Sequence, residues 1–310
     1  MCNFSAFAAI FRFFASLLLV LFSTVAEATE SPHQWQGSAS LGLENDSTVI
    51  IDELDTVVDE DSASNTVRLG VDYQYNPDDK NEWQFSGNYI VKNFSDSDDF
   101  DSALQIYSAA YSHEFERVTL GVRAQVIDSE LNHEPFLKLQ QLSPYVSFFI
   151  GKQWFVNFAI GFNDKRIETD SSRSAQGMQL NVDSYRFIQG INHYLLFSYK
   201  SGSENAEDPL FNQLFNQVRI GWVKKIRLFE RVNKLRVNWR YLRRNYNDEI
   251  HPDIDGFRVD SRRQWEFEWE LELNSSFLLG ANYRLNEQDS NLGIARYDQH
   301  ISSVSLEYRF

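Results

Sequence analysis

Residues Gln264 to Asn274 read QWEFEWELELN, and this stretch decides the fold. Trp265, Phe267, Trp269, Leu271 and Leu273 alternate with Glu266, Glu268, Glu270 and Glu272. Successive side chains of an extended strand point to opposite faces. One face here is therefore aromatic and aliphatic, and the other is a row of carboxylates. A single strand of this kind suits a soluble sandwich, with the apolar face in a core and the acids in water. The alternation recurs along the chain to its last residue, however. Lipid is then the better solvent for the apolar face, and the acidic face lines the lumen of a transmembrane barrel.

The same out-and-in pattern is traced by Trp35, Ala39, Leu41 and Leu43, and by Val67, Leu69, Val71, Tyr73 and Tyr75. Trp83, Phe85, Tyr89 and Val91 follow, and a less clean strand spans 103–115. Val118, Leu120, Val122, Ala124 and Val126 come next, with Arg123 and Gln125 facing away. A hairpin turns at Gly151-Lys152, with Val146, Phe148 and Ile150 before it and Trp154, Val156, Phe158, Ile160 and Phe162 after it. Another turns at Gly190-Ile191-Asn192. Val218, Ile220 and Trp222, then Leu235, Val237, Trp239 and Tyr241, lead up to the opening stretch. Phe277, Leu279, Ala281, Tyr283 and Leu285, then Val304, Leu306, Tyr308 and Phe310, complete the set.

Tight connections near 77–81, 116–117, 151–153, 190–192 and 274–276 alternate with long polar ones near 45–63, 94–102, 128–139, 163–176, 200–213, 246–262 and 286–299. Short periplasmic turns and longer outer loops are the habit of outer-membrane barrels. The expected fold is all-β: a transmembrane antiparallel up-and-down β-barrel of about 14 strands, with both termini on the periplasmic side.

Residues 1–28 read as a signal peptide and 29–310 as the barrel. Phe13 to Phe22 is an apolar run too short to span a bilayer, and Val25-Ala26-Glu27-Ala28 offers a cleavage site. The single cysteine, Cys2, precedes that run, so the mature chain is expected to lack disulfides and to rely on sheet closure. With 29 basic against 44 acidic side chains and a net charge of −15, nucleic acid is excluded as a partner. The expected surroundings are outer-membrane lipid and lipopolysaccharide, reached through the barrel assembly machinery of a Gram-negative cell. VSLEYRF, with Tyr308 and the terminal Phe310, resembles the signal that this machinery reads.

Pairing the strands across the 246–262 loop places Arg236 opposite Glu272, Arg240 opposite Glu268 and Arg244 opposite Gln264. Arg219, Arg284, Glu307 and Arg309 extend the set. The candidate lumen lining is thus Arg219, Arg236, Arg240, Glu266, Glu268, Glu270, Glu272, Arg284 and Glu307. It reads as a charged ladder along an aqueous path or as ion-pair scaffolding within the wall. The 45–63 loop carries Asp46, Asp52, Glu53, Asp55, Asp59, Glu60 and Asp61 with no basic residue, and Asp96, Asp98, Asp99 and Asp101 follow in the next loop. Their spacing matches no calcium loop, so a solvated acidic rim is expected. His33, His113, His133, His193, His251 and His300 lack metal-ligand spacing, and no nucleophile elbow appears. Neither a cofactor nor an enzymatic activity is expected.

Four short stretches carry a family resemblance: Asn45-Asp46-Ser47-Thr48-Val49, LKLQQLSPYVS (Leu137–Ser147), Arg258-Val259-Asp260-Ser261-Arg262 and DSNLGIARYD (Asp289–Asp298). They resemble the carboxyl-terminal barrel of surface lipoprotein assembly modifiers. That resemblance implies an outer-membrane pore taking part in export or surface display of a protein. The partners it implies are an exported lipoprotein and, since the first strand begins near Trp35, a separate periplasmic repeat protein in place of the family's tetratricopeptide region. A passive porin or solute channel is the alternative. On either reading the purified protein should give strand-dominated circular dichroism and migrate differently in gels before and after boiling. A helix-rich spectrum would contradict the barrel.

Overall fold

The computed structural model describes residues 31–58, 61–96, 98–228 and 230–310; the expected signal peptide, with Cys2 and its cleavage site, lies outside them, as do Asp59 and Glu60. The strands are β1 (His33–Asp46), β2 (Val49–Ile51), β3 (Thr56–Val58), β4 (Ser62–Tyr75), β5 (Asn81–Phe94), β6 (Ser102–Glu114), β7 (Val118–Leu131) and β8 (Glu134–Ile150). They continue as β9 (Trp154–Ile167), β10 (Ala175–Phe187), β11 (His193–Ala206), β12 (Gln213–Leu228), β13 (Arg231–His251), β14 (Gly256–Glu272), β15 (Phe277–Ser290) and β16 (Tyr297–Arg309). Fourteen of them close into one antiparallel barrel in the order β1-β16-β15 and onward down to β4, while β2 and β3 pair with each other inside the first long connection. An even strand number leaves both termini on one side.

The burial pattern is that of a membrane barrel turned inside out relative to a soluble domain. Leu41, Leu69, Phe85, Tyr107, Val122, Phe158, Ile220, Phe267, Tyr283 and Leu306 are all exposed on the outer face. Contact with water over such an area would be costly, whereas lipid removes the cost. At the end bearing the termini, aromatic side chains form a girdle. Trp35 packs on Tyr73 at 4.1 Å, Trp83 on Tyr111 at 4.6 Å and Phe277 on Tyr308 at 5.1 Å. Trp222 and Trp269 belong to the same belt. The Trp269 indole N–H donates to Asn233 Oδ1 at 3.0 Å, and Trp222 donates to His193 Nε2 at 3.2 Å. An amphipathic ring with a satisfied polar edge suits the membrane interface.

The barrel closes where β1 meets β16, from Ser38 opposite Arg309 to Asp46 opposite Ile301. The Phe310 N–H donates to the Gly37 carbonyl at 3.0 Å, and the Gly37 N–H returns a bond to the Phe310 carbonyl at 2.8 Å. A Cβ at position 37 would fall 2.3 Å from the Phe310 ring, so only glycine leaves room for the terminal aromatic to lie across β1.

The long connections near 45–63 and 94–102 keep their expected length, but the others are shorter than the sequence pattern suggests. The segment 128–139 is paired strand turned by Asn132 and His133 alone, with φ of 50° and 64°. The 246–262 segment is also mostly strand, with only 252–255 outside it at the tip. Above the lipid band both strand faces meet water, so apolar alternation disappears while backbone pairing continues. On β14 the outward apolar run starts at Trp265, and Arg263 just beyond it is exposed beside Glu287 and Asp289.

Phe267 lies between Trp265 and Trp269 in the outward apolar run of β14, while Trp269 sits in the girdle. Phe267→Arg should therefore cost about 2–4 kcal/mol and Trp269→Arg about 1 kcal/mol or less, measured as the shift in urea unfolding from lipid vesicles. Equal costs would displace the membrane midplane from Phe267.

Candidate functional site

The inward faces of β12 to β16 hold the charged residues expected in the lumen, with one correction to their pairing. Arg236 lies opposite Glu268, Arg240 opposite Gln264 and Arg244 opposite Asp260. The register is thus offset by four residues from the symmetrical pairing expected from sequence, in which Arg236 meets Glu272 and Arg240 meets Glu268. The cause is an irregularity on β13 between Tyr246 and His251, which leaves Asn247 to Ile250 without the opposing residues that a regular hairpin requires. An even offset keeps each side chain on its expected face.

From the periplasmic end upward, Lys234 donates to Glu270 at 2.9 Å, and Arg236 is paired with Glu268. Glu266 accepts from Arg284 at 3.0 Å and from Asn238 at 3.2 Å. Glu307 pairs with Arg309 on its own strand, and no ion pair joins Glu272 among the described residues. Arg219 and Arg240 are direct cross-strand neighbours. Together with Glu44 and Arg68, Glu266, Glu268, Glu270, Arg284, Glu307 and Arg309 surround a cavity of about 320 Å³ against the inner wall.

The outer mouth departs most from expectation, because the first long loop is not a solvated acidic rim. It folds across the mouth. At its root Ser47 exchanges bonds with His300, and Gln299 donates to Asp46 Oδ2 at 3.0 Å and to the Thr48 carbonyl at 2.7 Å. The β2–β3 hairpin then carries a short 3-10 turn, Asp52–Leu54, into the lumen. Asp52 accepts from Arg244 at 2.8 Å and also pairs with Arg262. Asp55, in the left-handed region at φ 53°, takes two bonds from Arg258, at 2.8 and 2.6 Å, and one from Arg173 at 2.8 Å. Arg258 in turn is held by Asp260, and Asp260 by the Ser290 hydroxyl at 2.6 Å.

The crossing is wide. Arg173 immediately precedes β10, which lies seven places from β1 in the ring of fourteen and so on the opposite wall. A cleft of about 60 Å³ remains between the loop and that wall, lined by Asp52, Glu53, Lys165, Glu204, Phe211 and Tyr246.

Burial by itself would raise the Asp52 carboxyl, but the guanidinium groups of Arg244 and Arg262 outweigh it and hold it well below the usual carboxylate range. Asp55 is likewise pushed up by burial and brought down further by Arg258 and Arg173. Glu53 goes the other way: burial and the neighbouring Asp52 charge raise it, against smaller opposing contributions. Sequence reasoning had both halves of this latch without joining them. The signal was a long acidic loop with no base, set against a strand pair rich in arginine.

Three of the four stretches behind the family resemblance meet here. Asn45–Val49 forms the loop root, Arg258–Arg262 grips Asp52 and Asp55, and Asp289–Asp298 supplies Ser290 to Asp260 and the Asp298 carbonyl to Thr48. The fourth, Leu137–Ser147, lies on β8, across the barrel.

Neither a protein-family model nor a curated protein matches the sequence. Solved structures do match the fold. An anion-selective porin from Comamonas acidovorans aligns with a TM-score of 0.54 at 8% identity, covering 90% of this chain and 99% of that one. The outer-membrane protein OmpT of Vibrio cholerae, in its trimer form, aligns with a TM-score of 0.51 at 10% identity over 90% of this chain and 99% of that one. The chain has the closed β-barrel fold of these Gram-negative outer-membrane proteins.

The latch has a definite pH dependence. Asp52 and Asp55 have lowered folded-state values, so their contribution is complete above the unfolded carboxylate range, near about 4, and is lost only as pH falls through the lower folded values. Glu53 has a raised value, so its protonation relieves a cost. The loop should therefore be at least as firmly closed at pH 5 as at pH 7. Asp55 and Arg258 side chains are only 6% and 4% exposed; Asp55→Ala removes the loop's bonds to Arg258 and Arg173, which keep Asp260 and Asp170, and should loosen the loop by about 1–3 kcal/mol. Hydrogen exchange of Val49 to Val58 measures the loss, and Asp96→Ala in the exposed neighbouring loop should leave it unchanged.

Proposed function

We propose that this barrel is a passive solute channel whose outer mouth is narrowed by its own first loop. The observation that carries the reading is the path of that loop. It leaves β1, reaches the opposite wall at Arg173, and is fixed there by paired charges above an internal cavity. A loop fixed across a water-filled barrel restricts the passage of solutes by size and charge. Purely structural bracing would not require the segment to cross the lumen, since ion pairs within the wall already join β13, β14 and β15.

A second reading is a pore for export or surface display of a protein, as in surface lipoprotein assembly modifiers. It is favoured by the meeting of three resemblance-bearing stretches at one place, the root and latch of the loop. On that reading the loop is a gate that a passenger lipoprotein displaces, and a periplasmic repeat protein delivers the passenger. Either reading has the barrel assembly machinery, lipid and lipopolysaccharide as surroundings.

Reconstitution into planar bilayers separates the two. A solute channel should conduct small ions without any partner, in discrete steps. Asp55→Ala should raise the mean step or add open-level noise by releasing the loop. A barrel silent in both forms would remove the channel reading, and secretion of a surface lipoprotein on co-expression would support export.

A further inference from the structure

On the lumen wall of β12 to β15, most cations have carboxylate partners at the levels above and below one rung. Lys234 has Glu270, Arg236 has Glu268 and Arg284 has Glu266, while Asp52 serves Arg244 and Arg262. Arg219 and Arg240 are the exception at mid-height; nearer the strand ends Lys225, opposite Lys234, also has no ion pair among the described residues. The two arginines stand directly opposite each other on adjacent strands, both inward, and neither is within ion-pair distance of any carboxylate among the described residues. Arg219 makes one hydrogen bond, to Asn238 Oδ1 at 3.0 Å, and Arg240 makes one, to Gln264 Oε1 at 3.2 Å. A guanidinium has five N–H donors. The Nε–H groups of both arginines are buried with nothing to receive them.

The nearby acids do not pair with them. Glu266 is taken by Arg284 and Asn238, and Asp183, on the same inward course two strands beyond Arg219, receives the Ser198 hydroxyl at 2.6 Å. On β11, one inward step above the Ser198 level, Lys200 also has no ion pair; its ammonium sits 5.4 Å from the centre of the Phe215 ring. Two adjacent guanidinium groups repel each other in a partly desolvated wall, and unmet donors there add to the cost.

We propose that Arg219 and Arg240 form a binding site for a compact oxyanion, a carboxylate or phosphate group, on the lumen wall just below the loop. Such a ligand accepts from two guanidinium forks at once, and its charge removes the repulsion between them. The amides of Asn238 and Gln264 orient the forks without neutralising them, which is what a site for an external anion requires. As a property of a conducting pore the proposal rests on the channel reading, because the rung lies between the latched mouth and the internal cavity. Binding itself does not depend on conduction.

The test is calorimetric titration of inorganic phosphate and of acetate into the purified barrel in detergent, at constant ionic strength. Arg240→Gln, Arg219→Gln and, two inward positions lower, Arg236→Gln each remove one positive charge. Saturable binding of at least one probe is expected in the wild type, weakened about tenfold or more by Arg240→Gln or Arg219→Gln. Arg236→Gln should change it by less than about twofold, and Arg240→Lys should retain part of it because charge survives without the fork. Heat-modifiable migration of each variant reports that it is folded. Absence of saturable binding to the wild type, or equal weakening by all three glutamine variants, would overturn the site. A barrel that binds phosphate but conducts nothing would retain the site and remove the channel reading. One that conducts without binding would do the reverse.

Discussion

Everything in this molecule depends on β1 finding β16. In lipid an unpaired backbone N–H or C=O has no water to turn to, so a sheet with free edges is not viable and only closure satisfies the outermost strands. Nine residue pairs make that seam, and the exchange between Gly37 and Phe310 finishes it at the terminus. The seam also accounts for two sequence features that look unrelated. Gly37 supplies no packing of its own, yet its missing side chain is the space in which the Phe310 ring lies. The aromatic at the carboxyl end therefore has a structural seat as well as its expected part in assembly.

Once closed, the wall treats its two faces by different physics. Outside, apolar side chains need only meet lipid, and their sequence is periodic and repetitive. Inside, every charged group needs a partner, and the solution is layered. Wall carboxylates neutralise the lower levels, a loop brings carboxylates to the upper ones, and Arg219 and Arg240 are left between them. The acidic composition of the chain thus does not describe the potential along the lumen, where a local positive band sits within a protein of net charge −15. Local placement, not the total, sets what a solute meets.

The parts readable from sequence are those where one residue meets one solvent. Trp265, Phe267 and Trp269 against Glu266 and Glu268 declare strand, face and medium together, which is why fold, strand number and inward set follow from alternation. Strand length was not readable. Asn132 and His133 make a two-residue turn inside a segment whose neighbours are polar on both faces, so the pattern that marks a strand in lipid is silent there. The register of β13 on β14 failed for a related reason: an irregularity near Asn247 has no hydrophobic signature. The latch was least visible. Asp55 and Arg258 are 203 positions apart, and nothing local tells a solvated acid from one awaiting a distant guanidinium.

The length of that connection bears on how the barrel is made. Asp52 and Asp55 follow the first strand, whereas Arg244, Arg258 and Arg262 belong to β13 and β14, late in the chain. Contacts over such sequence separations carry a large loop-closure cost and form late in folding. The loop root adds to this, since Ser47 and Thr48 are tied to His300 and Asp298 on β16, the strand that seals the seam. Biogenesis and narrowing are therefore ordered in time. Until β13 and β14 are added, Asp52 lacks both of its guanidinium partners and Asp55 has Arg173 alone. The crossing segment acquires the last of its ties, at the loop root, only when β16 arrives, so a complete constriction is itself a marker of a completed cylinder.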